Sequence, residues 1–271
     1  MSNLPPIAYT IAGSDSCCGA GAQIDLKVFS NLNVHGCSIL TVITAQNTIG
    51  ISDVFYLPNA IIKEQYESII KDLPPNALKI SMVGNGIEII IEKLKNFKKP
   101  IIFDPVISSS SNYNFINEEQ ISRIKNDLLP LCTLITPNLP EAKKLIGRDD
   151  LPVEDIAKCI IDFGPSFVLI KGGHSNEINS RDFLYDGENK FFLESPRITN
   201  KFFHGTGCVL SAAITSYISK GKSVVDSTIE AKTYLNQLLN KSPQIGKGSI
   251  LISVEPPCND SYYKPNIVCV D

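Results

Sequence analysis

A glycine-containing segment just before a long apolar stretch carries the strongest chemical signal in the sequence. It reads His204-Gly205-Thr206-Gly207-Cys208, hereafter the 204–208 loop. Glycines let a backbone approach a ligand closely, and a helix N-terminus offers unpaired N–H groups and a partial positive charge. Because the next residues predict a helix over 206–219, the loop predicts an anion site suited to a phosphate. An ordinary loop before a core helix is the alternative.

Cys208 is a candidate for chemistry of its own within this loop. It would lie in the first helical turn, where the helix dipole lowers the pKa of a thiol. We therefore expect it to act as a base toward a substrate hydroxyl or as its hydrogen-bond partner. A cysteine hydrolase is disfavoured, because His204 is near in sequence but no third group that would orient it stands out.

A second glycine-bearing segment, from Gly13 to Gly21, also joins a predicted strand to a predicted helix. Gly13, Gly19 and Gly21 lack the G-x-G-x-x-G spacing of a dinucleotide site, and no Gly-Lys-Ser/Thr follows as in a Walker loop. The segment fits either a small-ligand site or a plain strand-to-helix turn. Taken alone, it favours the turn.

Polar residues that follow predicted strands suggest where phosphate charge would be balanced. Asn138 and Glu141 begin a predicted helix, and their oxygen atoms suit Mg²⁺ held partly through water. An Asn-x-x-Glu capping box is the strong alternative for this pair. Asp104 and Lys171 each end a strand, and Lys171 could neutralise phosphate unless it is only a solvated surface group.

Two further side chains could contact a substrate. Asp25 shares the apolar face of Phe29 and Leu32 on a predicted helix, and a carboxylate buried there without a partner is costly. We therefore expect it at a solvated rim or against a ligand donor. Gln46 offers both a donor and an acceptor, so it can pair with a heterocycle that carries an amine beside a ring nitrogen.

The elements that would position these residues alternate along the chain. Apolar and β-branched runs predict strands at 7–12, 37–45, 78–82, 101–103, 134–136 and 167–171. Amphipathic runs predict helices at 20–32, 59–72, 86–95, 117–131, 140–146, 153–163, 206–219 and 223–239, with Asn59 as an N-cap. A hairpin is predicted at 181–195. This alternation predicts a mostly parallel sheet covered on both faces, with ligands at the carboxyl ends of its strands.

Composition excludes several classes of protein. The 271 residues include 25 Lys and Arg against 28 Asp and Glu, so the net charge is −3 and binding of nucleic acid through bulk positive charge is not expected. We do not expect the protein to bind a membrane, because no apolar run reaches the ~18 residues of a spanning helix. With no export signal evident, we expect a cytoplasmic protein with reduced thiols. Scattered Cys and His residues predict no structural zinc site.

The motifs together, in their order along the chain, resemble a known family. They are Gly19-Ala20-Gly21, Asp25-Leu26-Lys27, Ala45-Gln46-Asn47-Thr48, Asp104-Pro105-Val106, Thr136-Pro137-Asn138-Leu139-Pro140-Glu141-Ala142, Lys171-Gly172-Gly173-His174 and His204-Gly205-Thr206-Gly207-Cys208. This set resembles the hydroxymethylpyrimidine/phosphomethylpyrimidine kinases of thiamine biosynthesis, members of the ribokinase-like superfamily, over about residues 7–250. The resemblance implies one ribokinase-like domain over 1–271, a three-layer α/β/α fold with a mainly parallel central sheet. It also implies transfer of the ATP γ-phosphate to 4-amino-5-hydroxymethyl-2-methylpyrimidine and then to its monophosphate.

The resemblance also implies roles for single residues. Gln46 would pair with the aminopyrimidine edge, and Asp25 would lie near the hydroxymethyl group. The pocket walls would be Gly13, Met82 and Val106. The catalytic set would be Gly205, Thr206, Gly207, Cys208 and Lys171, with Cys208 where most ribokinase-like enzymes place an aspartate base. Mg²⁺ would be organised by Asn138 and Glu141 with Asp104 nearby. ATP and Mg²⁺ are the expected cofactors, and a need for K⁺ and a homodimeric state stay open.

Two departures from the family pattern keep other functions open. Cys18 stands where the family usually has glycine, and Ser108 to Ser111 replace a usual Lys-Ser-Gly segment. A non-catalytic pyrimidine-binding paralogue is one alternative. A pyridoxal or pyridoxine kinase is another, because its substrate also presents a hydroxymethyl group on a nitrogen heterocycle. Gln46 favours the aminopyrimidine, since pyridoxal lacks the amine.

Overall fold

Strands and helices alternate along most of the chain. The computed structural model describes residues 4–107, 115–174, 179–199, 201–258 and 260–270. The strands are β1 (Ile7–Asp15), β2 (His35–Gln46), β3 (Ile51–Tyr56), β4 (Ala77–Ile80), β5 (Ile101–Phe103), β6 (Leu134–Ile135), β7 (Phe167–Ile170), β8 (Asn179–Tyr185), β9 (Lys190–Pro196), β10 (Phe203–His204), β11 (Ile250–Leu251) and β12 (Asn266–Val270). The helices are α1 (Gly21–Asn31), α2 (Asn59–Ile70), α3 (Ile87–Leu94), α4 (Glu118–Arg123), α5 (Leu139–Ile146), α6 (Val153–Ile161), α7 (Thr206–Ser219) and α8 (Val224–Lys241).

Within the described residues, ten strands form one sheet in the order β12-β9-β8-β7-β6-β5-β4-β1-β2-β3. The stretch from β7 to β2 is parallel throughout. Antiparallel strands extend it at both ends, with β3 beyond β2 and with β8, β9 and β12 beyond β7. Parallel neighbours need crossover connections, which the intervening helices supply. The predicted mainly parallel sheet is confirmed.

Two apolar clusters, one on each face of the sheet, form the core. Helices α1, α7 and α8 pack on one face, and α2 to α6 pack on the other. Helix α7 is buried from Cys208 to Ser219, and the hydroxyl groups of its buried Ser and Thr residues donate to backbone carbonyls of the helix itself. Each fully buried Ile or Leu side chain contributes about 1.5–3 kcal/mol, so this packing fixes the position of the helix. The three-layer α/β/α architecture is therefore confirmed.

Helix starts show where local chemistry decides an element. Asn138 caps α5 and Asn117 caps α4, each in a reciprocal capping box with the residue three positions on. The prediction of Asn59 as an N-cap is wrong, because the cap of α2 is Pro58 and Asn59 is already helical. Proline satisfies this start because its fixed φ and missing N–H cost nothing there. The capping-box alternative for Asn138 is thus the arrangement observed.

The prediction missed the outer strands of the sheet. β3 lies antiparallel to β2, and β12 pairs with the hairpin strand β9, although the last twenty residues gave no interpretable pattern. The formation of these edge strands depends on pairing with an earlier strand. Their own residues show no periodic apolar pattern from which a strand could be predicted. The predicted hairpin at 181–195 is confirmed as β8 and β9. The Ser108–Ser111 departure lies outside the described residues.

Two remaining expectations concern the chain as a whole. All eight cysteines lie among the described residues, and each has a free thiol. A search of the described part of the chain finds no helix both long and apolar enough to cross a membrane.

Candidate active site

The predicted site residues gather at the carboxyl ends of the parallel strands. Asp104 follows β5, Thr136 follows β6 and Lys171 follows β7, so these three lie side by side. On the other side of β5, Met82 follows β4 and Gln46 ends β2. The N-terminus of α7 points into this edge, because Gly207 lies beside Asp104 and Lys171. The sheet therefore brings a charged half and a neutral polar half together around one helix end.

The backbone of the 204–208 loop requires glycine. Gly205 caps α7 at φ 84°, and a Cβ there would lie 1.8 Å from the carbonyl oxygen of Gly19. A Cβ on Gly207 would lie 3.0 Å from Lys171 Nζ and 3.5 Å from Asp104 Oδ2. The first turn of α7 thus presents bare backbone directly beside a lysine ammonium. This arrangement suits an anionic group, as the sequence predicts.

Asp104 and Lys171 form a buried ion pair at this helix end. Lys171 Nζ donates to Asp104 Oδ1 over 2.7 Å, and Thr136 and Ser211 hydroxyls also donate to the carboxylate. Burial opposes ionisation of Asp104, but the Lys171 and Lys79 ammonium groups outweigh it and lower its pKa. Both carboxylate oxygens of Asp104 accept from protein groups, and one of these groups is the Lys171 ammonium. The prediction that Asp104 lies near Mg²⁺ stays a prediction.

Asn138 and Glu141 each use one side-chain oxygen atom to cap the N-terminus of α5. Asn138 Oδ1 accepts from the Glu141 N–H, and Glu141 Oε2 accepts from the Asn138 N–H. Burial raises the pKa of Glu141 to about 7, while Lys171 acts in the opposite direction. A divalent cation would favour the ionised carboxylate at this position. The donor set is all oxygen, which fits Mg²⁺ held through water rather than through both capping atoms directly.

The surroundings of Cys208 oppose ionisation of its thiol. The side chain is buried, and burial raises the pKa of Cys208 to about 11, although Lys79 acts against the shift. Asp25 and Asp104 raise it further. Burial and two carboxylates thus act against the helix dipole, which favours the thiolate. Whether Cys208 acts as a base or as a hydrogen-bond partner stays a prediction.

Asp25 does not reach a solvated rim. Its side chain is 0% exposed and pairs with the equally buried Lys79, whose Nζ lies 2.5 Å from Asp25 Oδ1. Thr10 donates to the other carboxylate oxygen. Burial raises the pKa of Asp25 in spite of Lys79, and the nearby carboxylates hold the pKa of Lys79 above its usual value. Lys79 also donates to the Cys208 carbonyl at 3.4 Å, so the pair lies under the 204–208 loop.

Lys79 is the main site residue that the sequence argument missed. The signal was present, because Lys79 interrupts the apolar strand Ala77-Leu78-Lys79-Ile80 just as Asp25 interrupts an apolar helix face. Two opposite charges on buried faces of adjacent elements predict one another. The buried Asp25 carboxylate does have a partner, as the sequence analysis expects, but this partner is Lys79 rather than a ligand.

Two of the three predicted pocket walls, Gly13 and Met82, lie in contact. A Cβ on Gly13 would lie 2.9 Å from the Met82 sulfur. The Thr41 hydroxyl donates to the Met82 carbonyl over 2.5 Å. Val106 is half-buried and packs against the larger apolar cluster. Their role as walls of a substrate pocket stays a prediction.

Gln46 is held by side chains from two loops. Its Nε2 lies 2.8 Å from His204 Nε2, and Ser16 bonds both its N–H and its carbonyl. His204 Nε2 lies 3.2 Å from Asp15 Oδ2. Gln46 would have to turn its amide away from His204 to present both of its polar atoms to a heterocycle. Its pairing with an aminopyrimidine stays a prediction.

Comparison with known proteins points to one group of enzymes. The family model described as "Phosphomethylpyrimidine kinase" matches residues 15–253. The hydroxymethylpyrimidine/phosphomethylpyrimidine kinase of Aquifex aeolicus is 35% identical over 248 residues, which cover 89% of this chain and 97% of that protein.

Solved structures give the same fold. The pyridoxal kinase of Staphylococcus aureus in complex with AMP-PCP matches with a TM-score of 0.88 at 29% identity, covering 98% of this chain and 99% of that one. The phosphomethylpyrimidine kinase of Clostridium difficile matches with a TM-score of 0.76 at 38% identity, covering 86% and 99%.

Proposed function

The chain belongs to the phosphomethylpyrimidine kinase family, and from that membership we propose that it phosphorylates 4-amino-5-hydroxymethyl-2-methylpyrimidine with ATP. The same site would then phosphorylate the monophosphate to the diphosphate, for thiamine biosynthesis. One observation carries the proposal: the bare first turn of α7 lies against the Lys171 ammonium, with Gly207 as the point of contact. The ribokinase-like neighbour solved with AMP-PCP supports ATP as the phosphate donor.

The transfer needs charge stabilisation and positioning more than covalent catalysis. The N–H groups of Thr206 and Gly207 would donate to the phosphoryl oxygens, and Lys171 would balance their charge. Asp104 keeps Lys171 in place and protonated. Mg²⁺, held through water by Asn138 and Glu141, would supply further positive charge against the phosphate oxygens.

Cys208 would act on the acceptor alcohol as a neutral group. A thiol with a pKa of about 11 is a poor base at neutral pH, so it would hold the hydroxyl by a hydrogen bond. The proton of the alcohol would pass late to an oxygen of the transferred phosphoryl group, once bonding to phosphorus has made the alcohol oxygen acidic. This reading gives Cys208 a positioning role.

The experiment is ADP release from Mg·ATP with the aminopyrimidine alcohol, its monophosphate and pyridoxal in parallel. Lys171→Met should lower kcat by about 100-fold or more, since it removes a charge that acts on the transition state. Lys158→Met is the control, because Lys158 is an exposed lysine whose salt bridge within the described part of the chain is to the exposed Asp155. Absence of turnover on both pyrimidines, in protein that folds normally, would refute the proposal.

A pyridoxal kinase is the second candidate. The observation that favours it is the TM-score of 0.88 to the Staphylococcus aureus pyridoxal kinase. A Gln46 variant distinguishes the pyrimidine kinase from the pyridoxal kinase, because only the aminopyrimidine offers an amine beside a ring nitrogen. Gln46→Leu should raise KM for the pyrimidine by about tenfold, the value of one lost hydrogen-bonded pair, and leave KM for pyridoxal nearly unchanged.

We also propose a cytoplasmic homodimer. Ile43 and Phe55 are cross-strand partners on β2 and β3, and they are 43% and 61% exposed. Such an exposed apolar pair, on the edge strand β3 and its neighbour β2, is suited to burial against a second copy. Sedimentation at micromolar concentration tests the assembly.

A further inference from the structure

Three side chains of metal-ligand type meet beside Gln46, outside the phosphate half of the site. Asp15 ends β1, Cys17 lies in the loop between β1 and α1, and His204 ends β10, 189 residues after Asp15. Their ligand atoms all lie within 4.8 Å of one another. We propose that Asp15, Cys17 and His204 bind one borderline-soft divalent cation, of the chemical class of Zn²⁺.

The distances within the cluster match a tetrahedral site. Zn²⁺ bonds of about 2.0–2.1 Å to oxygen and nitrogen and about 2.3 Å to sulfur place tetrahedral O and N about 3.3 Å apart, and O and S about 3.5 Å apart. Asp15 Oδ2 lies 3.2 Å from His204 Nε2 and 3.5 Å from Cys17 Sγ. Two edges of the tetrahedron are therefore already in place.

Backbone groups hold the carboxylate in position. The N–H groups of Gly19 and Ala20 donate to Asp15 Oδ2, and the Cys17 N–H donates to Oδ1. Hydrogen bonds of this kind orient a metal ligand before the ion arrives. The Cys17 thiol also donates to Oδ2, and His204 Nε2 lies 3.2 Å from the same oxygen. A cation would replace these two contacts and leave the backbone hydrogen bonds in place.

The contacts of His204 join the cluster to Gln46. Its Nε2 lies between Gln46 Nε2 at 2.8 Å and Asp15 Oδ2 at 3.2 Å. The single lone pair of an unprotonated Nε2 can accept from the Gln46 amide or bind a cation, but not both. Entry of the ion would therefore turn the Gln46 amide away from His204.

Binding of the cation requires the loss of one proton and no redox step. Cys17 binds as a thiolate, so its S–H proton passes to solvent when the ion enters, and His204 binds as a neutral imidazole. A thiolate and an imidazole favour Zn²⁺ over Mg²⁺, whereas the all-oxygen pair of Asn138 and Glu141 has the opposite preference. The fourth position falls to water, since the His204 side chain is 21% exposed.

The proposed site depends on the Cys17 thiol. Its neighbour Cys18 has φ 58° and is the matched control, because it offers the same thiol one position away and outside the cluster. Cys17→Ser removes the thiolate and keeps the size of the side chain. Cys18→Ser keeps the cluster intact and changes the backbone strain little.

Titration of the full-length protein with Co²⁺ tests the proposal without any substrate. Cys258 and Cys269 are exposed, so the experiment uses a background in which both are serine. We expect one equivalent of Co²⁺ with a thiolate-to-metal charge-transfer band that Zn²⁺ abolishes and Mg²⁺ does not. Cys18→Ser should keep the band, and Cys17→Ser should lose it and bind Zn²⁺ about tenfold or more weakly.

Two outcomes would overturn the assignment. One is the absence of a charge-transfer band in the parent protein. The other is a band of equal strength in Cys17→Ser whose circular dichroism matches that of the parent, which would place the thiolate elsewhere. Asp15→Asn is the second variant, and unchanged Zn²⁺ affinity in it would exclude the carboxylate.

Discussion

The buried ion pair between Lys79 and Asp25 leads to a quantitative prediction. Lys79→Met removes the ammonium and keeps the length of the side chain. Asp25 then keeps only the Thr10 hydroxyl as a partner among the contacts described, at a position that is 0% exposed. Removing one partner of a buried pair leaves an uncompensated charge and typically costs about 3–5 kcal/mol of unfolding free energy.

Protonation of the Asp25 carboxylate limits this cost and sets an upper bound on the loss of unfolding free energy. Asp25 can take a proton, and at pH 7 this costs about 4 kcal/mol for a group with an ordinary pKa near 3.9. We therefore expect Lys79→Met to destabilise the protein by about 3–4 kcal/mol at pH 7. A folded-state pKa raised above the unfolded value gives stability that is present at low pH and lost as pH rises. The penalty should thus shrink by about 1.4 kcal/mol per pH unit toward pH 5.

Urea unfolding followed by circular dichroism at pH 7 and pH 5 measures the penalty. The double variant Asp25→Asn with Lys79→Met carries neither charge and should recover most of the loss. Lys158→Met is the surface control and should stay within about 0.5 kcal/mol of the parent. A Lys79→Met penalty below about 1 kcal/mol at pH 7, or one that does not change with pH, would refute the reasoning.

Three shorter predictions concern the loop, the thiol and the assembly. Gly205→Ala should lower kcat severely and cost more stability than Gly147→Ala, because both have positive φ but only Gly205 lies against another backbone; thermal unfolding of the pair checks this. Since the pKa of Cys208 is about 11, its alkylation rate should still rise with pH from 8 to 10, whereas a plateau below pH 9 would contradict the assigned burial. Ile43→Ser with Phe55→Ser should yield monomers by sedimentation, and dimers of unchanged strength would place the interface elsewhere.

The sequence predicted the parts of the fold that have a local cause. Strands followed by helices gave the parallel sheet, and the glycines before an apolar helix gave the 204–208 loop. The capping box at Asn138 could be predicted as an alternative because its hydrogen bonds join residues only three positions apart in the Asn-x-x-Glu pattern. Family membership also followed from motif order and is confirmed by the matching family model.

Features that depend on distant contacts were missed or misjudged. Lys79 meets Asp25 across 54 residues, and Cys208 owes its raised pKa to burial and to carboxylates from other elements. His204 meets Asp15 across 189 residues, so no spacing rule could have placed them in one cluster. Charge balance in the interior is set by the packed fold rather than by neighbours in the chain.

The central claim is that this site moves phosphate onto an aminopyrimidine alcohol, and mass spectrometry of the product tests it most directly. Incubation of 4-amino-5-hydroxymethyl-2-methylpyrimidine with Mg·ATP and the protein should give a product heavier by one phosphoryl group, followed by a second. Lys171→Met should form neither at a comparable rate. Unchanged pyrimidine, with pyridoxal converted to its phosphate under the same conditions, would contradict the account.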